Sequence, residues 1–489
     1  MSPVPARKVH GWLAGLLVVA LATGALGAPA PATADTGGSP AAATRTYPLA
    51  ERLAREVTGA RVREHLAAFQ AIADANGGNR GYNRPGSARS ADYLVSRLEQ
   101  AGYQVTRQQV PYTDFEITAE RLTVGAPVDA PVTVMMTNFT PSTGADGIDA
   151  PLAALAPGHD GCAPADHAGV AGRVLVVARA ACGYTQQQRL AAEAGARAVI
   201  VYHPTPSPDN RYRFTAVDPT RFVIPVGSVS ERDGLRLIEA ARRGDVPARL
   251  TLTGRTVPAV TENVVAETPD GDPHDVVLVG GHLDSVPEAP GINDNATTAA
   301  TVLQIALAVA EQPYRPRNRL RFVWWGAEEL IDVGSKAYVD RLDAGARADI
   351  AALVNGELLG SENFVRFVWD SGTGGDHVLA SLFTSWLDRQ GLPYEIMHPA
   401  MIGSDHEPFQ RIGVPVGGMT GGSIGVKTAA QQAVYGGHAG QLYDRCYPQA
   451  CDDLAHLDQF ALDTSVPAYA WVVGRLATEV ADVRAASGR

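Results

Sequence analysis

Two apolar runs, each ending in charged side chains, constrain this chain more than any other feature. Residues 277–282 read VLVGGH and continue as Leu-Asp, while residues 320–325 read LRFVWW and continue as Gly-Ala-Glu-Glu. Between them come a loop with Asn293 and Asp294 and then a helix-like segment. Short apolar runs bounded by turn residues read as buried strands. Open α/β sheets build their ligand and metal sites at the carboxyl ends of such strands. His282, Asp284, Asp294, Glu328 and Glu329 are therefore the candidate site residues. A His-x-Asp pair at a strand end suits a metal ligand whose ring is oriented from behind. Adjacent glutamates at a turn can divide into a metal ligand and a base facing the attacking water. They do not have the spacing of a glycosidase pair.

The chain of 489 residues is long for one domain, and its 19% charged and 45% hydrophobic content is that of a globular protein. The net charge of -11 argues against a nucleic-acid partner. At the N-terminus Arg7, Lys8 and His10 precede an apolar stretch over 12–26 and then small-residue cleavage sites. That pattern predicts a signal peptide over 1–34, a linker over 35–46 and an exported protein without a stable membrane anchor. The four cysteines form two local groups, so Cys162–Cys182 and Cys446–Cys451 is the simplest of three possible pairings.

Residues 47–130 read as the first part of an α/β domain, with helical spacing over 49–75, a loop over 76–87 and a helix over 90–101. Residues 131–254 differ in texture. Strand-like runs over 173–177, 198–202 and 222–226 surround one helix over 184–195, as in an inserted β-rich module. Strands and helices alternate again over 255–489, which predicts a mostly parallel central sheet with helices on both faces.

The motifs GGHLDS (280–285), GINDN (291–295), RFVWWGAEEL (321–330), NGELLGSEN (355–363), SDHEPF (404–409) and YDRCYPQACD (443–452), with NGGNRGYNRPG (76–86), resemble the secreted zinc aminopeptidases of the M28 type. The stretches DHAGVAGRVLVVARAACGY (166–184) and EAGARAVIVY (193–202) resemble a protease-associated (PA) domain. The resemblance implies a zinc exopeptidase fold, peptide substrates and two zinc ions. It makes His282 a ligand of the first ion, Asp294 the bridge, and Glu329 a ligand of the second. Glu328 becomes the general base, and Tyr447 the phenol that steadies the developing oxyanion.

The chain departs from that pattern at three positions. Glu357 stands where the family has an aspartate ligand, with Gly356 expected to leave it slack. Pro448 stands where the family has a histidine ligand, and proline offers no side-chain donor. Gly403 replaces an arginine found in some members. His438 and His456 are expected at the surface, and His406 is expected to support the cleft through hydrogen bonds. The reading is a monomeric zinc aminopeptidase with an altered second metal site, or a one-zinc enzyme using His282, Asp294 and Glu357. The alternative is a non-catalytic relative that binds peptides or partners.

Overall fold

The computed structural model describes residues 47–488, so the predicted signal peptide and linker lie outside the described residues. Three helices open the described chain: Pro48–Glu56, Gly59–Ala75 and Pro85–Gln100. The single helix expected over 49–75 is thus two. The chain turns extended at Thr58, whose hydroxyl accepts the Arg61 N–H at 3.3 Å and starts a second helix. The third helix begins earlier than expected because Pro85 suits the first helical turn.

The strand Asp272–His282 lies between Asn318–Trp325 and Ile350–Glu357, and all three are parallel. Val416–Thr420 extends this parallel set beyond Ile350–Glu357. Pro247–Glu267 closes one side and Phe367–Trp369 continues the other, both antiparallel to their neighbours. Side chains alternate between two cores. Val277 and Val279 pack with the buried helices Thr297–Ala310 and Gln459–Leu476, while Leu278, Val323 and Trp325 pack with Tyr338 and Phe409 on the opposite face. His282 and Glu357 therefore end adjacent parallel strands, and Trp325 pairs directly with His282.

The insert builds its own sheet, in the order Ile148–Ala154, Val174–Ala178, Ala198–Tyr202, Val226–Val229 and Met135–Met136. The strand expected over 222–226 begins at Val226, because residues 219–221 form a short turn. A second helix, Glu231–Arg243, joins Gly183–Glu193 where one was expected. Ser230 caps it by accepting the Asp233 N–H at 3.2 Å. Two long strands, Val105–Val124 and Pro247–Glu267, pair from Val105–Ala266 to Val124–Ala248, and Pro247–Glu267 also pairs with Asn318–Trp325 and with Ile148–Ala154, joining both sheets. The disulfides Cys162–Cys182 and Cys446–Cys451 form as the simplest pairing. Among the described residues no helix is long and apolar enough to cross a membrane.

Tyr469, from the helix Gln459–Leu476, stitches the sheet beside the site. Its hydroxyl accepts the Met419 N–H at 2.7 Å and donates to the Asn355 carbonyl at 2.9 Å. Tyr469→Phe should lower unfolding stability by about 1–3 kcal/mol in a denaturant titration. An unchanged midpoint would mean that these bonds are replaced.

Candidate metal centre

The site starts at the end of the Asp272–His282 strand. His282 is fully buried, and its Nδ1–H donates to the Asp284 carbonyl at 3.0 Å, leaving Nε2 to face the cluster. Around Nε2 stand Asp294 Oδ1 at 3.4 Å, Glu357 Oε2 at 3.5 Å and Glu328 Oε2 at 3.6 Å. Ligand atoms of His282, Asp294 and Glu357 all lie within 4.8 Å of one another. Atoms bonded to one tetrahedral zinc ion stand about 3.3 Å apart, so the three are spaced for a shared ion.

Backbone N–H groups hold the carboxylates in place. Buried Asp284 accepts the N–H of Glu328 at 3.1 Å and of Glu329 at 3.3 Å. The loop turns through left-handed Ala327, Ile331 and Asp332, with φ of 56°, 73° and 54°. The turn separates the neighbours: Glu328 faces His282, while Glu329 Oε1 is buried without a partner. Asp452 accepts the N–H of Asn293 at 2.7 Å and of Asp294 at 3.1 Å. Glu357 is held by one oxygen, which accepts the Ser404 hydroxyl, while the other faces His282. A Cβ on Gly356 would strike the Tyr469 hydroxyl, so the glycine makes room for that stitch.

The electrostatics describe a donor set short of positive charge. Burial first, and then neighbouring carboxylates, push Glu328 and Glu329 well above the usual carboxylate range. Burial also raises Glu357, although His282 and Ser404 oppose the shift. Burial works against a charge on His282, yet Glu328, Glu357 and Asp294 outweigh it and push the imidazole well up. Burial and the same carboxylates raise the Tyr447 phenol, so it keeps its proton and remains a hydrogen-bond donor. A divalent cation supplies the charge that these groups lack, and the orphaned Glu329 oxygen is a further free donor. The residues fit zinc at His282, Asp294 and Glu357. For a second ion Glu329 and a shared Asp294 are at hand, while Pro448 brings no donor.

The other histidines divide. His438 is exposed, as expected. His456 is not a surface histidine: its side chain is 4% exposed, held by Asp444 at 2.8 Å and Glu362 at 3.2 Å. Asp444 also accepts the Asn293 amide at 2.6 Å, so His456 braces the loop before Asp294. His406 is buried against Trp369, its Nε2 is 3.2 Å from the Pro399 carbonyl, and burial lowers it to about 4.

Arg80 escaped the sequence reading. Its guanidinium is buried and donates to the carbonyls of Leu283, Pro290 and Gly291, the turns on either side of the Ser285–Ala289 loop. A signal was present, since the loop over 76–87 holds two arginines and no carboxylate to pair with them.

The model of Peptidase family M28 matches residues 263–471, and that of the PA domain matches residues 148–237. An aminopeptidase of Pseudomonas aeruginosa is 33% identical over 453 residues, covering 88% of this chain and 83% of that one. A probable lipoprotein aminopeptidase, LpqL, of Mycobacterium tuberculosis is 33% identical over 467 residues, covering 90% and 88%. In three dimensions the chain resembles a zinc aminopeptidase of Bacillus subtilis with a TM-score of 0.68 and 19% identity, over 87% of this chain and 98% of that one.

Arg80→Met should leave the buried Leu283 and Pro290 carbonyls unpaired, Gly291 keeping the Ala296 N–H at 3.2 Å, and cost about 2 kcal/mol or more in chemical denaturation. A loss below about 1 kcal/mol would show that water or another donor serves those carbonyls equally well.

Proposed function

We propose a function from a plain premise: the chain belongs to peptidase family M28. It is a secreted zinc aminopeptidase that removes N-terminal residues from peptides and has an altered second metal site. Residues 47–130 and 255–489 form the peptidase domain, and residues 131–254 the PA domain. The observation that carries the reading is the meeting of His282, Asp294 and Glu357 within 4.8 Å, with Glu328 at 3.6 Å from the same imidazole nitrogen.

In this reading His282, Asp294 and Glu357 hold one zinc ion, and Glu329 with Asp294 is left to hold a second weakly. Bound zinc supplies Lewis acidity at the scissile carbonyl and lowers the pKa of water. Glu328, kept at the cluster by Asp284, takes the proton from the attacking water and passes it to the leaving amine. The Tyr447 hydroxyl, which burial keeps protonated, donates to the oxygen on which negative charge develops. Export is supported by the leader pattern and by two closed disulfides. One observation favours a second reading, a peptide-binding relative without turnover: Pro448 removes a donor the two-ion site needs.

Elemental analysis of the mature protein should find about one zinc per chain, and Pro448→His should raise it toward two. Glu328→Gln should keep the zinc while lowering turnover of leucine p-nitroanilide by roughly 100-fold or more. A wild-type protein that binds zinc and peptide but turns over no anilide or peptide would leave the binding reading instead.

A further inference from the structure

Two unlike cavities meet at Tyr447. The smaller, about 280 Å³, is lined by His282, Asp294 and Glu357 together with Met401, Ile424 and Tyr443. The larger, about 1420 Å³, is lined by the loop that carries Glu328–Ile331 and by Phe139, Val217 and Phe222 of the inserted module. Glu328, Glu329 and Tyr447 line both, so a chain lying across the base passes from one cavity into the other. An enzyme that cuts after the first residue holds one residue on one side of the scissile bond and the remainder on the other. The small cavity has the size of a single residue, and the large one accommodates several.

The large cavity presents apolar surface. Val217 is 75% exposed and Ile331 is 39% exposed. Ile331 holds its side chain there from a left-handed backbone, which a β-branched residue rarely adopts. The basic side chains along this cavity are already paired: Arg255 with Glu116 at 2.6 Å, Lys336 with Asp340 at 2.5 Å and Arg411 with Glu407 at 2.5 Å.

The module wall is also held in register with the site. Arg213 of the module is bonded to Glu288 at 2.7 Å and Glu120 at 3.0 Å. Gln449, in the Tyr447 loop, accepts the Arg211 N–H at 3.2 Å and donates to the Arg211 carbonyl at 2.7 Å.

We infer that the large cavity, which Val217 and Ile331 both line, is a subsite for the second and third residues of a peptide substrate and selects apolar side chains there. This rests on the aminopeptidase reading for which end of the peptide lies where. The test uses the full mature chain. Binding of Leu-Leu-Leu-amide and Leu-Gly-Gly-amide is measured by calorimetry on the Glu328→Gln protein, with and without Val217→Asp. Turnover of leucine p-nitroanilide is measured separately on the wild-type enzyme.

Burying one or two leucine side chains should make Leu-Leu-Leu-amide bind about ten-fold tighter or more. Val217→Asp should erase most of that difference by weakening Leu-Leu-Leu-amide, while Leu-Gly-Gly-amide binding stays within about two-fold. Equal binding of the two peptides, or a preference that survives Val217→Asp, overturns the subsite. If peptide discrimination behaves as stated but the wild-type enzyme turns over no anilide, the subsite stands and the aminopeptidase reading falls.

Discussion

The structure depends on keeping several carboxylates beside one buried imidazole. Removing a carboxylate from water favours its neutral form, and crowding carboxylates together adds to that tendency. Glu328, Glu329 and Glu357 are all pushed upward for these reasons. The protein counters locally with fixed donors. Asp284 and Asp452 grip the backbone of the residues that bear the site, and Ser404 occupies one oxygen of Glu357. Arg80 works a layer further out, gathering carbonyls from either side of the loop between His282 and Asp294. These contacts hold the geometry but leave the negative charge uncompensated, which is the electrostatic case for a divalent cation.

A second constraint is the long ribbon formed by Val105–Val124 and Pro247–Glu267. Because Pro247–Glu267 pairs with Asn318–Trp325 near one end and with Ile148–Ala154 near the other, the inserted module is tied to the α/β domain by continuous backbone hydrogen bonding. The Arg213 and Gln449 contacts add side-chain ties near Tyr447. A module fixed in this way can serve as a wall of the cleft.

Much of the α/β framework was legible because period and punctuation are local signals. The apolar runs ending at His282 and Trp325 are strands of a parallel sheet, covered on both faces. The misses also have local causes. Apolar spacing carries on through Thr58, so it hid the break that Thr58 caps. The helix Glu231–Arg243 is strongly charged and shows few apolar positions, so the β-rich texture around it masked it. His456 looked like a surface residue because its partners, Glu362 and Asp444, come from separate loops.

The sequence by itself determined which donors exist. It contains His282, Asp294, Glu328, Glu329 and Glu357, and it has Pro448 where a donor was expected, whatever the fold. Motif order also carried the family, because several short patterns in sequence are jointly specific. Only the tertiary structure decided which donors meet. Glu357 Oε2 stands 3.5 Å from His282 Nε2 while its other oxygen accepts the Ser404 hydroxyl, and Gly356 beside it leaves room for Tyr469. Val217 and Ile331 line one cavity, although more than a hundred residues separate them in the chain. Spacing along a chain reports neighbours within one strand or helix. Contacts between elements depend on how their faces pack, and no local pattern contains that information.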